Sequence, residues 1–143
     1  MANGLYQHGV KHFARGNMKW INDASPTAGE DTLWQTALVD AADYTVDLAS
    51  HEFRDAAGLA TGIEETSGAM TLVDAAVDGV CDASDVTFVG TAGDQCDGIL
   101  VFCDQGSAAT DYLVGWWDTA SGLPVTLGGD VTVTWNASGL FKI

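Results

Sequence analysis

Residues 98–135 read GILVFCDQGSAATDYLVGWWDTASGLPVTLGGDVTVTW, and they decide the fold. Three runs in this stretch, at 99–103, 112–117 and 131–135, are typical of β-strands. The first two are continuously apolar, which predicts strands covered on both faces, whereas the third alternates and predicts one wet face. Turn-forming residues separate the runs. Because neighbouring strands joined by short turns pair with each other, the stretch predicts an antiparallel meander.

The remainder of the chain adds shorter strand signals and one helix signal. Residues 33–39 form the clearest strand of the first half, and further strands are predicted at 18–21, 44–48, 70–73, 76–81 and 85–89. About eight or nine short strands predict an all-β fold, an antiparallel two-sheet sandwich that is jelly-roll-like. Its predicted core contains Ile99, Val101, Val114, Trp116, Val131 and Val133.

The N-terminal residues predict a short amphipathic helix over 4–15. Tyr6, Val10 and Phe13 recur at helical spacing on one face. Asn3 is the predicted N-cap and Gly16 the predicted residue just past the C-terminal end. A helix this short needs a surface to dock on. We therefore expect residues 1–21 to form an N-terminal helix or arm at an interface, and residues 22–143 to form the β-sandwich body of a single domain.

The charge is unevenly distributed along the chain. Twenty acidic residues against five basic ones give a net charge of −15. Every acidic residue lies between Asp23 and Asp130, whereas Lys11, Arg15 and Lys19 stand before them. An acidic body repels nucleic acid, which excludes a nucleic-acid partner. Acidic loops also keep strand edges from aggregating.

Compartment and membrane signals are few. No apolar run approaches the length of a membrane span, so no membrane partner is expected. The three cysteines, Cys81, Cys96 and Cys103, form no C-x-x-C pair. No secretory signal opens the chain. We expect free, structural thiols in a protein made in a reducing cytoplasm.

No residue pattern predicts a catalytic, cofactor or metal site. His8 and His12 share a helix face but have no neighbouring acidic or cysteine ligand in sequence. The aspartate clusters at 40–47 and 74–85 do not match a calcium loop. Asp104, Asp111 and Asp118 end or begin strands, and a glycosidase pair would need a cleft. Residues 50–52, Ser-His-Glu, lack a nucleophile elbow, so a hydrolase has little support.

The tryptophans leave a binding function open. Trp116, Trp117 and Trp135 are candidates for an aromatic platform that binds sugar, although core packing is the commoner role of such residues. Trp116 and Trp117 are adjacent in a strand, so they must point to opposite faces. One of them is then free to form a flat contact surface for a protein or a glycan.

Taken as a whole, the chain resembles a family of small virion structural proteins of tailed bacteriophages. The segments that carry the resemblance, in order, are Gly4-Leu5-Tyr6 with Gly16 and Trp20, 37–40 with 42–44, 51–53, 85–88, 93–95, 118–120 with 122–125, and 129–133. The resemblance implies a component of the phage particle, most readily a head decoration (cement) protein with a β-sandwich fold. It implies no catalytic residues.

The resemblance and the charge pattern together define the expected function. We expect a non-enzymatic capsid decoration protein on the virion surface, made in the host cytoplasm, that clamps neighbouring subunits of the major capsid protein and forms a homotrimer. The expected interface residues are Tyr6, Val10, Lys11, Phe13, Arg15, Lys19 and Trp20. The alternatives are a carbohydrate-binding or host-attachment module and a tail or adaptor subunit.

Overall fold

The structure is a computed structural model that describes residues 3–20, 33–73 and 79–143. Within these ranges the chain forms two short helices, α1 (Gln7–Ala14) and α2 (Leu59–Gly62). The strands are β1 (Gly4–Leu5), β2 (Leu33–Val39), β3 (Ile63–Thr66), β4 (Leu72–Val73), β5 (Val80–Ala83), β6 (Val86–Phe88), β7 (Gln95–Cys96), β8 (Gly98–Asp104), β9 (Tyr112–Trp117), β10 (Val125–Thr126), β11 (Val131–Val133) and β12 (Phe141–Lys142).

One five-stranded antiparallel sheet forms the centre of the molecule, with the strand order β1-β9-β8-β2-β3. Three smaller antiparallel sheets accompany it: β4-β5-β12, β6-β11 and β7-β10. The all-β class and the antiparallel pairing are therefore confirmed. The small sheets do not amount to a second large sheet among the described residues, so the two-sheet sandwich stays a prediction.

The central sheet is buried on both faces, as the continuous apolar runs predict. One face carries a core built on Leu100, Phe102 and Leu113, which residues 40–62 cover with Tyr44 and Leu59. The other face is covered by the small sheets. There the core residues are Trp34, Leu38, Ile99, Val101, Cys103 and Val114 from the central sheet, and Leu72, Cys81, Ala83, Val86, Phe88, Cys96 and Val133 from the small sheets.

A β-bulge in β9 changes which face its later residues occupy. Val101 pairs with Gly115, but the next residue, Phe102, pairs with Leu113, so Val114 is the extra residue. An extra residue reverses the alternation beyond it. Trp116 consequently lies on the opposite face from Val114, although both are buried. Both are core residues, as predicted, but they belong to the cores on opposite faces of the sheet.

Several predicted elements differ from the observed ones. Residues 44–48 form no strand, because the Asp47 carboxylate accepts the backbone N–H groups of Ala49 and Ser50 and closes a turn instead. Residues 18–20 form no strand either. Part of the predicted strand at 76–81 lies outside the described residues. Ile21 and the aspartates at 74 and 78 lie outside them as well. Val131 is only half-buried.

The N-terminal helix is shorter than predicted and is part of the body. Gly4 and Leu5 pair with Trp116 and Gly115, so β1 is an edge strand of the central sheet. Asn3 is not the N-cap, because its side-chain oxygen accepts the backbone N–H of Asp118 at 2.8 Å. Gly16, with φ of +76°, does follow the C-cap residue, as predicted.

Val133→Asp tests the facing of β11. Val133 is buried against the central sheet, so an unpaired carboxylate there is expected to lower the free energy of unfolding by about 3–5 kcal/mol. The matched control is Thr132→Asp, at an exposed position one residue away, with an expected cost below about 1 kcal/mol. Urea unfolding measures both, and equal costs would contradict the observed register.

Candidate functional site

Helix α1 presents two different faces. Its inner face lies directly on β9, because a side chain at Gly9 would place a Cβ only 2.4 Å from the Leu113 carbonyl oxygen. His12 is buried on the same side. The outer face carries Val10, 39% exposed, together with the exposed side chains of Lys11 and Arg15. The helix thus covers the edge of the sheet and turns an apolar and basic surface outward.

The seven predicted interface residues divide between these two sides. Tyr6 and Trp20 are buried within the chain's own core, so they are not accessible to a partner. Phe13 is half-buried and stacks on Trp34 with ring centroids 5.4 Å apart. The remaining four, Val10, Lys11, Arg15 and Lys19, are exposed. We call these four residues the N-terminal face.

Trp20 illustrates why burial could not be read from the sequence. Its indole N–H donates to the backbone oxygens of Val73 and Asp82 at 3.1 and 3.0 Å. Its ring packs edge-on against Trp34 and Phe141. All of these partners except Trp34 are more than fifty residues away, so no local pattern indicates the contact.

Two histidines of α1 meet an acidic residue that the sequence does not place near them. His12 Nε2 lies 2.7 Å from Glu52 Oε1, and His8 Nδ1 lies 3.3 Å from Glu52 Oε2. The Asn17 side-chain amide donates to His12 Nδ1 at 2.9 Å, which assigns the ring proton to Nε2. Each carboxylate oxygen therefore faces a different ring. The described residues contain no group of three side chains arranged to hold a metal ion.

The Glu52 contact has an electrostatic consequence. The hydrogen bond from His12 holds the pKa of the Glu52 carboxyl below its ordinary value. Partial burial acts in the opposite direction, and the electrostatic interactions with His8, His12 and Lys11 reinforce the lowering. Glu52 is consequently ionised at neutral pH and fastens α1 to the segment that precedes Arg54.

A second polar chain fastens the start of α1. The Tyr6 and Tyr44 hydroxyls lie 2.9 Å apart, and the Tyr44 hydroxyl lies 2.8 Å from His51 Nδ1. Burial raises the pKa of both phenols, so both remain neutral. Ser50 instead donates to Asp47. The Ser-His-Glu string at 50–52 thus directs its three side chains to three separate partners and assembles no triad.

The aspartates spaced seven residues apart also have structural partners. Asp111 is fully buried, and its Oδ2 oxygen accepts both the Nε and the Nη2 hydrogens of Arg54, at 2.8 and 2.7 Å. Its other oxygen accepts the Gln105 backbone N–H at 2.6 Å. Asp104 accepts the Gly106 backbone N–H, and Asp118 accepts the Trp116 indole N–H. Their spacing reflects turn geometry.

The candidate aromatic platform is divided by the sheet. Trp116 is fully buried on one face, whereas Trp117 and Trp135 meet on the other, with ring centroids 5.9 Å apart and planes inclined by 60°. Rings inclined in this way do not form a flat row for a sugar. Trp117 and Trp135 instead line one end of a groove beside β11.

The three thiols are free and buried, as predicted. Burial raises the pKa of Cys81 to about 11. Burial also raises the pKa of Cys96 to about 12, with a further contribution from the negative charges of Glu64, Asp40 and nearby carboxylates. Thiols of this kind are poor nucleophiles at neutral pH. No helix in the described part of the chain is long and apolar enough to cross a membrane.

Thiol reactivity provides a direct test of this description. At pH 8 we expect a thiol reagent such as 5,5′-dithiobis-(2-nitrobenzoate) to react slowly with the native protein and rapidly with the urea-unfolded chain. A reductant should leave the melting temperature unchanged. Fast reaction of the native protein, or a large fall in melting temperature on reduction, would contradict the buried free thiols.

The pH dependence of stability tests the Glu52 contact. The pKa of Glu52 is lower in the folded protein than in the unfolded chain, so its ionised carboxylate stabilises the folded protein above the unfolded-state pKa of about 4.3. This stabilisation is lost as the pH falls through the folded-state pKa. Glu52→Gln should therefore cost about 1 kcal/mol at pH 7 and nothing at the lowest pH. Asp55→Asn, at an exposed position in the same loop, is the control. A cost of Glu52→Gln that does not change with pH would contradict the contact.

The comparisons with known proteins identify no family for the chain. No protein-family model matches the sequence, and no curated protein matches it significantly.

Proposed function

We propose that the chain is a structural subunit of a tailed-phage particle, most specifically a capsid decoration protein that binds the major capsid protein at the virion surface as a homotrimer. The observation that carries the proposal is the charge separation between the N-terminal face and the acidic body. Lys11, Arg15 and Lys19 are exposed and precede every acidic residue in a chain whose net charge is −15.

The N-terminal face has the chemistry of an attachment surface. Val10 supplies an exposed apolar centre. Basic side chains around it would orient the subunit and accelerate its encounter with an acidic shell surface. Rim charges of this kind contribute about 0–1 kcal/mol each, so the apolar contact is expected to carry more of the affinity.

The interior of the molecule supports a role that depends on stability rather than chemistry. Each polar side chain discussed above as a catalytic candidate contacts a structural partner. The pair of Asp111 with Arg54 is the most buried of these contacts. The chain's resemblance to small virion proteins agrees with this role. The acidic body would face solvent and repel nucleic acid.

A tail or adaptor position would use the same face and the same chemistry. The two positions differ in the partner, so binding to shells assembled from the major capsid protein alone separates them. The glycan-binding alternative is less favoured, because Trp117 and Trp135 are inclined to each other and Trp116 is buried.

The variant Val10→Asp with Lys11→Glu and Arg15→Glu tests the proposal. All three positions are exposed, so the melting temperature should fall only slightly, through loss of the Lys11 attraction to Glu52, whereas binding to purified undecorated shells should fall by at least about tenfold. The effect of the two charge reversals should shrink at high salt. Cosedimentation at two salt concentrations measures both effects.

The contrasting variant is Tyr6→Ala with Phe13→Ala. Because both side chains pack inside the chain, this variant should lower the melting temperature of the isolated subunit. Unchanged shell binding by the outer-face variant would contradict the proposed attachment surface. Analytical ultracentrifugation of the parent tests the trimer separately.

A further inference from the structure

A groove of about 490 Å³ lies beside β11, and no residue of the N-terminal face lines it. Leu38 and Ile99 of the central sheet form its floor. Residues 120–123 with Val125 form one wall, and residues 131–134 form the other. A smaller cavity of about 290 Å³ shares Ile99 and residues 133–134 and continues to Trp117 and Trp135. The two together form one elongated, mainly apolar groove.

The backbone of β11 faces this groove. Four consecutive residues, 131–134, line it, although side chains of a strand alternate between faces. Consecutive lining residues therefore place the strand edge itself at the groove. Among the described residues, β11 pairs with β6 and with no other strand, so its second edge has no strand partner there. An open edge above an apolar floor is the geometry that accepts an extended peptide as an added strand.

Among the described residues, the charged ones that line the groove and the depression beside it are acidic. Asp97 and Asp118 lie at one end, in a depression that adjoins the groove through Leu123. Asp130 precedes β11, and the Asp85 carboxylate accepts the Trp135 backbone N–H at 3.0 Å. None of the five lysines and arginines of the chain lines either cavity. A segment with basic residues at its ends complements this rim.

We propose that the groove binds an extended segment of a partner protein, apolar at its centre and flanked by lysine or arginine, as a strand added to the open edge of β11. A second copy of this chain is a poor occupant, because pairing of two β11 edges would bring a second acidic rim against this one. The inference stands apart from attachment through the N-terminal face and does not depend on it.

Binding is tested on the full chain with a synthetic peptide that alternates valine and threonine between terminal lysines. The peptide should bind with a dissociation constant between about 1 μM and about 1 mM. Its binding should shift the backbone NMR signals of residues 120–123 and 131–134, and increasing salt should weaken it. A peptide with proline at its centre lacks one backbone N–H and should bind at least about tenfold more weakly.

Two pairs of variants locate the site. Ala120→Phe fills the groove and should weaken binding at least about tenfold, whereas Ala137→Phe, at an exposed position outside the groove, should not. Thr134→Lys adds a like charge at the exposed rim and should weaken binding, whereas Ser138→Lys should have less effect. The second pair keeps the test decisive if Ala120→Phe fails to fold.

Each of the following outcomes would overturn the proposal. They are absence of peptide binding up to millimolar concentration, equal binding of the proline peptide, equal binding by the groove and control variants, and self-association that buries residues 131–134. Shifts of the same signals by cellohexaose without any shift by the peptide would also overturn it, because they would assign the groove to a glycan.

Discussion

The rest of the structure depends on covering the outer edge of β9, which is the edge that does not pair with β8. β9 is buried on both faces, so its outer edge cannot be left to water without exposing the core beside it. Two segments cover that edge, the N-terminal residues 5–6 and the loop at Glu52. Leu5 pairs with Gly115, the Tyr6 N–H donates to Val114 O at 2.9 Å, and the Leu113 N–H donates to Glu52 O at 3.0 Å. The first helix is therefore a component of the sheet's edge.

The position of α1 explains both its interior contacts and its outer face. Glu52 receives His8 and His12 on one side of the helix, and the neighbouring Arg54 reaches the fully buried Asp111. These contacts connect the N-terminal segment to the loop between β8 and β9. The side chains that make them are therefore turned inward and are not available to a partner. The solvent-exposed side of the helix carries Val10 and the basic residues. The attachment proposal rests on the N-terminal face, whereas the buried aromatic residues Tyr6 and Trp20 stabilise the fold.

The strands with long apolar runs could be predicted from the sequence because burial on both faces leaves a strong local signal. β2 and β9 begin and end at the predicted residues, and β8 exceeds its prediction by one residue at each end. The layer at 40–62 could not be predicted, since Tyr44, Val46 and Leu48 alternate like a strand but pack as an irregular segment. The β9 bulge, the pair of Arg54 with Asp111 and the Glu52 contacts depend on partners distant in sequence. No local pattern carries them.

Amide hydrogen exchange of the isolated subunit tests the central claim most directly, because it reports whether α1 opens with the sheet or independently of it. If α1 closes the edge of β9, the hydrogen-bonded amide of Val10 should exchange as slowly as those at the centre of β8, through opening of the whole domain. Fast exchange of α1 amides while β8 and β9 stay protected would contradict the claim. It would show an N-terminal arm that is ordered only by a partner.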